Sequence, residues 1–438
     1  MDYRLLPRVL DETGQDTAAS SWNTFLLMQS IEGAQVIPYE KFPTMVSYMM
    51  YAANHVSCEE VNGRPAFIAP PIWERCFHTQ FTPGEPIGEG GFGHVSTMAS
   101  DESLCIKYVP KLTALFKEAV IMDIVHLTSL FKPHGASNKV LQMMFACIDC
   151  QCIVLPKMRC SLDNYPEWSP NSVVDTLIGF RGLIDGLLFL NFTCGITHCD
   201  VSPSNILVGA AGLSDLVLSD LGIATIICNH GMPGEIPIYS KTLGRVTSLY
   251  SSSCPMFFAK REYRPSTCLF ICYKAIKEQK NPESVPMYWR TPQEGLRLDL
   301  CSLYYSFQDS LLCMAGFTQR RLDVLKVSPP PPDRAGKYLA YMMQRTVVTH
   351  FMCEVWGLSV ETGLDIDGGS SNIHIPRTHR SYFKAVAEKA LCLVRQQFTP
   401  DKRITILSES VQAFIVPFLR LDSFNHCHGK VDYSGFFC

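Results

Sequence analysis

The stretch HCDVSPSN, His198 to Asn205, stands between two apolar segments of different character. Before it runs SVVDTLIGFRGLIDGLLFLNFTCG, whose length and apolar spacing predict a long helix. After it, ILVG reads as a short buried strand. The loop offers one carboxylate, Asp200, and one carboxamide, Asn205. It carries no cation: Cys199 precedes the aspartate and Ser202 follows two places after it.

The 438 residues suit one large two-lobed domain with an extension, or two to three domains. Apolar residues make up 47% and charged residues 18%, which gives ample material for a core and no disorder signature. A net charge of -3 argues against direct nucleic-acid binding and against a polybasic membrane anchor. The start, MDYRLLPRVLDETGQD, lacks the apolar region of a signal peptide, and no run reaches the length of a membrane helix. A soluble intracellular protein with reduced thiols is expected. The 19 cysteines are scattered. Their tightest cluster is Cys147, Cys150 and Cys152, and it lacks the second spaced pair that a zinc site needs, so they read as small apolar filler.

Residues 1–80 read as an extension with short amphipathic segments and several prolines. From Phe81 the pattern becomes strand, glycine turn, strand, in FTPGEPIGEGGFGHVSTMA. LCIKYV is a buried strand. ALFKEAVIMDIVHLTSLF has helical spacing of Leu115, Ala119, Met122 and Val125. VLQMMFACI and CIVLP read as two more strands. Beyond Pro156 the chain turns helical, with LRLDLCSLYYSFQDSLLCMAGF and KYLAYMMQRTVVTHFMCEVWGL as further helices. The run at Pro329 to Pro332 reads as an extended connector.

Ile87 to Val95, IGEGGFGHV, fits G-x-G-x-x-G-x-V at every position. A dinucleotide-binding unit would open a helix from these glycines. Here Val95 runs on into a strand, and Lys107 follows on the next one. That is the order of a glycine hairpin over nucleotide phosphates with a lysine on the third strand. Glycine lets backbone amides approach phosphate oxygens with no Cβ in the way. A lysine inside an apolar strand needs partners. Glu118, on the following helix, is the only glutamate between Glu102 and Glu167. Asp220 ends a strand in LVLSDLGIA, twenty residues past Asp200, as a D-L-G in place of D-F-G.

These motifs, in this order, resemble the eukaryotic-type protein kinases over roughly residues 81–415. The resemblance implies an α+β fold of two lobes: a small β-rich N-lobe over 81–158 and a larger α-helical C-lobe over 159–438. An insertion in the activation segment is expected around 225–290. ATP would lie under Ile87, Gly88, Glu89, Gly90, Gly91, Phe92, Gly93, His94 and Val95, with Lys107 paired to Glu118. Asp200 would be the catalytic base, and Asn205 and Asp220 would hold Mg2+. DLCSLYYS, from Asp299, matches the start of a helix in the family's D-x-W-S-x-G element. FTPDKRIT offers Arg403 as the buried arginine near the close of the domain. Its glutamate partner would be Glu294 or Glu283, with Glu294 preferred.

The H-x-D-[IV]-[ST]-P-x-N form of the loop, CIVLPKM at the hinge and the D-L-G element narrow the resemblance to the conserved herpesvirus protein kinases, with the length of the gammaherpesvirus branch. That implies a serine/threonine kinase of the virion tegument acting largely in the host nucleus on host and viral proteins. QRRLDVLK and AKREYR are only weak candidates for an import signal. Nucleoside phosphorylation, or a partner-binding scaffold on a kinase fold, are the alternative functions. Cys199 replaces the arginine that usually meets a phosphorylated activation loop, so switching through that position is not expected. Ser202 replaces the lysine that would face the transferred phosphate. Lys107, Asp200, Asn205 and Asp220 are all present, which favours an active enzyme.

Overall fold

The computed structural model describes residues 60–61, 64–65, 67–68, 82–90, 93–131, 136–147, 150–226, 235–240, 245–250, 260–281 and 292–318, with positions 392, 396, 411, 413 and 414. The expected prolyl connector, the helix from Lys337, Arg403, Glu283, Gly91 and Phe92 lie outside the described residues.

The first lobe is an antiparallel sheet with one helix. Its strands are β1 (Pro83–Gly90), β2 (Gly93–Met98), β3 (Asp101–Tyr108), β4 (Phe145–Cys147) and β5 (Cys152–Pro156), in the order β1-β2-β3-β5-β4. β3 is central, with Lys107 level with Val95 on one side and Ile153 on the other. Its run Leu104 to Lys107 is buried throughout, as a strand enclosed on both faces must be. α1 (Leu112–Phe131) buries the stripe of Leu115, Ala119, Met122 and Val125. One expectation is corrected. Val140 to Met144 is not strand: Val140 makes a single bridge to Leu218, and pairing with β5 starts only at Phe145. That segment is tied to the second lobe, so the apolar run marks burial between the lobes and not a ladder.

The second lobe is helical around a small hairpin. α2 (Val173–Leu188) continues as a π-helical turn, Phe189–Cys194, and stops at Gly195 in the left-handed conformation. β6 (Cys160–Ser161), β7 (Ile196–Thr197), β8 (Ile206–Gly209) and β9 (Gly212–Leu218) follow the hinge and frame the loop. β10 (Thr225–Ile226) pairs with β7, so the chain beyond Asp220 returns beside His198. Farther on lie a hairpin of β11 (Glu235–Ser240) and β12 (Arg245–Tyr250), then α3 (Ser266–Lys277) and α4 (Pro292–Met314). β11 also pairs in parallel with a short strand, Phe67–Ile68, of the N-terminal extension.

α4 is buried along most of its length. Phe307 packs edge-on to Phe180 of α2, with centroids 5.0 Å apart. This helix begins at Pro292, seven residues before Asp299. DLCSLYYS therefore lies inside the helix and not at its start. Pro292 is favoured at a first turn because its missing N–H has no partner there anyway. Gly295, in the same helix, passes so close to β7, just before the loop, that a Cβ would meet Thr197 Oγ1 at 2.1 Å.

Candidate active site

The N-lobe contribution starts with the hairpin of β1 and β2. At Gly93 a Cβ would stand 1.9 Å from the carbonyl oxygen of Tyr108. Only glycine allows β2 to start this close to β3. Ile87 is more than half exposed on β1, an apolar side chain left uncovered at the mouth of the cleft.

Lys107 is buried, and its ammonium meets two carboxylates: Glu118 Oε1 at 2.6 Å and Asp220 Oδ1 at 2.9 Å. Burial alone would pull its pKa down. The charges of Glu118 and Asp220 outweigh that and hold it above the ordinary lysine value. Glu118 is held above the usual carboxylate range, by burial first and by the Asp220 charge, against the opposing effect of Lys107. Burial also acts to raise Asp220, but Lys107, the Gly222 amide and His198 together bring it below its ordinary value. The lysine–glutamate pair and the D-L-G aspartate thus form one buried cluster. Leu221, in place of the usual Phe, is fully buried in the core.

The catalytic loop is held from beneath by Asp299 of α4. Its Oδ2 accepts from His198 N at 2.9 Å and from Asn191 Nδ2 at 3.1 Å, and its Oδ1 accepts from Cys199 N at 2.9 Å. Cys199 has φ 69° and Asp220 φ 62°, left-handed values that cost non-glycine residues about 1–3 kcal/mol each. The two amides clamped by Asp299 explain why Cys199 stays there. His198 donates from Nε2 to the Ser219 carbonyl at 3.0 Å and accepts the Asp200 amide at Nδ1, which ties the loop to the strand leading to Asp220.

Asn205 Nδ2 donates to Asp200 Oδ2 at 2.8 Å and to the Asp200 carbonyl at 2.9 Å. Burial pushes the Asp200 carboxyl up to about 6, against the opposing pulls of His198, the Lys260 amide and Asn205. A carboxylate poised there accepts a proton more readily than a free one would. Asn205 Oδ1 takes no part in these bonds and accepts a long bond from Ser204 Oγ at 3.4 Å, and Asp220 Oδ2 lies outside the bonds to Lys107 and Gly222. Two hard oxygens, one of them anionic, fit Mg2+, which takes few protein ligands and completes its shell with phosphate and water. Bound there, the ion would neutralise charge developing on a transferred phosphate.

Every site residue expected from sequence that is described falls on this cleft: Ile87 to Gly90, Gly93 to Val95, Lys107, Glu118, Asp200, Asn205 and Asp220. Glu294, expected as the partner of Arg403, is exposed in the first turn of α4, and Arg403 lies outside the described residues. Sequence reasoning missed Asp299 as the anchor of the loop. It also passed over Lys260, noticed only as part of a basic run. Lys260 donates its backbone N–H to Asp200 Oδ1 at 3.2 Å, and its ammonium bonds the Ser204 hydroxyl.

The UL97 family matches residues 113–320. The viral protein kinase of human herpesvirus 8 is 28% identical over 344 residues, 76% of each chain. The serine/threonine-protein kinase BGLF4 of Epstein-Barr virus is 27% identical over 353 residues, 78% of this chain and 80% of that one. A probable inactive protein kinase 38 of equine herpesvirus 2 is 25% identical over 411 residues, 89% and 91% of the two chains. A solved structure of vaccinia related kinase 3 overlaps with a TM-score of 0.41 and 16% identity, over 76% of this chain and 88% of that one. With the lysine–glutamate pair, the HCDVSPSN loop and the D-L-G aspartate assembled in one cleft, the chain is similar to the conserved herpesvirus serine/threonine protein kinases, the gammaherpesvirus ones among them.

Proposed function

We propose that the protein transfers the γ-phosphate of ATP, with Mg2+, to serine and threonine hydroxyls of host and viral proteins, in the virion tegument and the host nucleus. The observation that carries the reaction is the Lys107 ammonium between Glu118 and Asp220, across the cleft from an Asp200 pushed up to about 6. In the step, the acceptor oxygen bonds to the γ-phosphorus as the bond to the bridging oxygen of ADP breaks. The hydroxyl proton passes to Asp200. The nuclear and tegument setting rests on the family resemblance alone.

One of the three relatives is named as probably inactive, so catalysis by this chain needs its own test. Purified protein is incubated with labelled ATP and Mg2+, with a protein acceptor, with a nucleoside, or with neither. Label on the protein acceptor is expected, and Lys107→Met and Asp200→Asn should each abolish it while melting near the wild-type temperature. Near wild-type transfer by Asp200→Asn would refute the mechanism. Label on the nucleoside alone would move the substrate class from proteins to small molecules.

A further inference from the structure

The loop lacks the lysine two places after the catalytic aspartate, where Ser202 stands. Ser202 is fully buried, and its hydroxyl lies 3.1 Å from that of Ser204. Ser204 is in turn bonded by the ammonium of Lys260, which lies 56 residues further along the chain. The Lys260 backbone N–H is fixed independently on Asp200 Oδ1 at 3.2 Å. A positive charge is thus seated beside the catalytic base by two bonds, one through its backbone and one through its side chain. Among the described residues, no carboxylate oxygen lies within the 4.0 Å of an ion pair to this ammonium. Among the described residues its charge is therefore shared with no carboxylate.

We propose that Lys260 supplies in trans of the loop the cation that the loop itself lacks. Its ammonium would bear on the transferred γ-phosphate, with Ser202 and Ser204 forming the hydroxyl seat that orients it. The charge has moved from the catalytic loop to the segment that faces it across Asp200. This deepens the phosphotransferase reading and rests on it. Lys260 forms and breaks no bond. The phosphoryl group passes from ATP to the acceptor with ADP as the leaving group, the proton goes to Asp200, and the ammonium offsets negative charge on the equatorial oxygens.

The test separates charge from scaffolding, because every substitution at 260 other than proline keeps the backbone N–H on Asp200. Lys260→Gln keeps length and polarity but removes the charge. Lys260→Arg keeps the charge. Ser202→Lys, combined with Lys260→Gln, returns an ammonium from the loop itself. Lys260→Gln should lower kcat by about 10²-fold, in line with loss of one preorganised electrostatic contact, with a smaller, severalfold rise in KM for ATP. Lys260→Arg should stay within about tenfold of wild type, and the double variant should regain most of the loss. A second readout needs no turnover. Thermal stabilisation by a non-hydrolysable ATP analogue with Mg2+ should exceed that by ADP in the wild type, and Lys260→Gln should narrow the difference. Unchanged kcat in Lys260→Gln would overturn the proposal, as would equal losses in the Gln and Arg variants with no recovery by Ser202→Lys. If the wild type transfers no phosphate at all, the phosphotransferase reading fails. The ATP–ADP difference then still decides whether Lys260 senses the γ-phosphate.

Discussion

Replacing Asp299 with Asn should disable the enzyme while leaving it folded. The carboxylate receives three buried N–H groups, from His198, Cys199 and Asn191. An isosteric carboxamide has one acceptor oxygen and one amino group. Its better orientation places the oxygen at the Oδ2 position, keeping His198 and Asn191, and turns the amino group toward the Cys199 N–H. One buried donor is then unpaired and faces another donor, a cost of about 1–3 kcal/mol. Part of this is offset. Burial holds Asp299 above the ordinary carboxylate value despite His198, the two amides and Asn191, so removing its charge relieves a desolvation cost. The net loss of stability should be about 1–2 kcal/mol, a drop in melting temperature of a few degrees. The effect on rate should be much larger. Cys199 sits at φ 69° and loses the bond that holds it there, and Asp200 is the next residue. A displacement of about 1 Å at a reacting group can cost about 10²-fold in rate. Steady-state kinetics with one peptide substrate, beside thermal melts, should show kcat down by about 10²-fold with KM for ATP little changed, because Lys107 and Glu118 are untouched. A rate within threefold of wild type would show that the clamp does not position Asp200.

The acid limb of kcat/KM for a peptide substrate should lie near pH 6. Asp200 must be ionised to take the hydroxyl proton, and its carboxyl is raised to about 6, so activity falls as pH drops through that value; a limb near pH 4 would mean an unperturbed carboxylate. Phosphatase-treated enzyme should keep its rate, since Cys199 cannot meet a phosphate and its thiol lies 3.4 Å from Thr225 Oγ1; a loss restored by an upstream kinase would contradict this. Gly93→Ala should raise KM for ATP severalfold or more, because the new methyl has no room beside the Tyr108 carbonyl and β2 must shift; unaltered nucleotide affinity would show that the hairpin is not fixed by that approach.

The parts of the site legible in sequence share one property. Lys107, Asp200, Asn205 and Asp220 belong to short motifs in which the residue type and its neighbours carry the chemistry. Glu118 was found by elimination along a helix, and its 2.6 Å bond to Lys107 bears that out. Asp299 was read for its place in a pattern and not for its partners. It lies 100 residues from Cys199, and nothing local shows that a buried helix aims it at loop amides. Lys260 was harder still. A lysine in AKREYR looks like any solvated basic run, and its bonds to Asp200 and Ser204 connect positions 60 and 56 residues apart in the chain. Val140 to Met144 was misread because an apolar run reports burial, whereas strand needs a neighbour to pair with.

The charge inventory of the cleft shows why the position of Lys260 matters. Glu118, Asp200 and Asp220 bring three negative charges when ionised, and Lys107 brings one positive charge that Glu118 and Asp220 already share. Counted without Lys260, the described site is at -2, and it must accept a polyanionic nucleotide. Two unit charges 4 Å apart interact by about 1 kcal/mol in water but about 4 kcal/mol at an effective dielectric of 20. In a cleft partly closed from solvent, each such repulsion is comparable to a factor of ten or more in affinity or rate. Mg2+ at Asn205 and Asp220 would answer the negative charge on the Lys107 side. On the Asp200 side, Cys199 and Ser202 offer none, and Lys260 is the ammonium seated there among the described residues. A loop that has lost two cations can therefore still face a phosphate, provided that the activation segment lies against it.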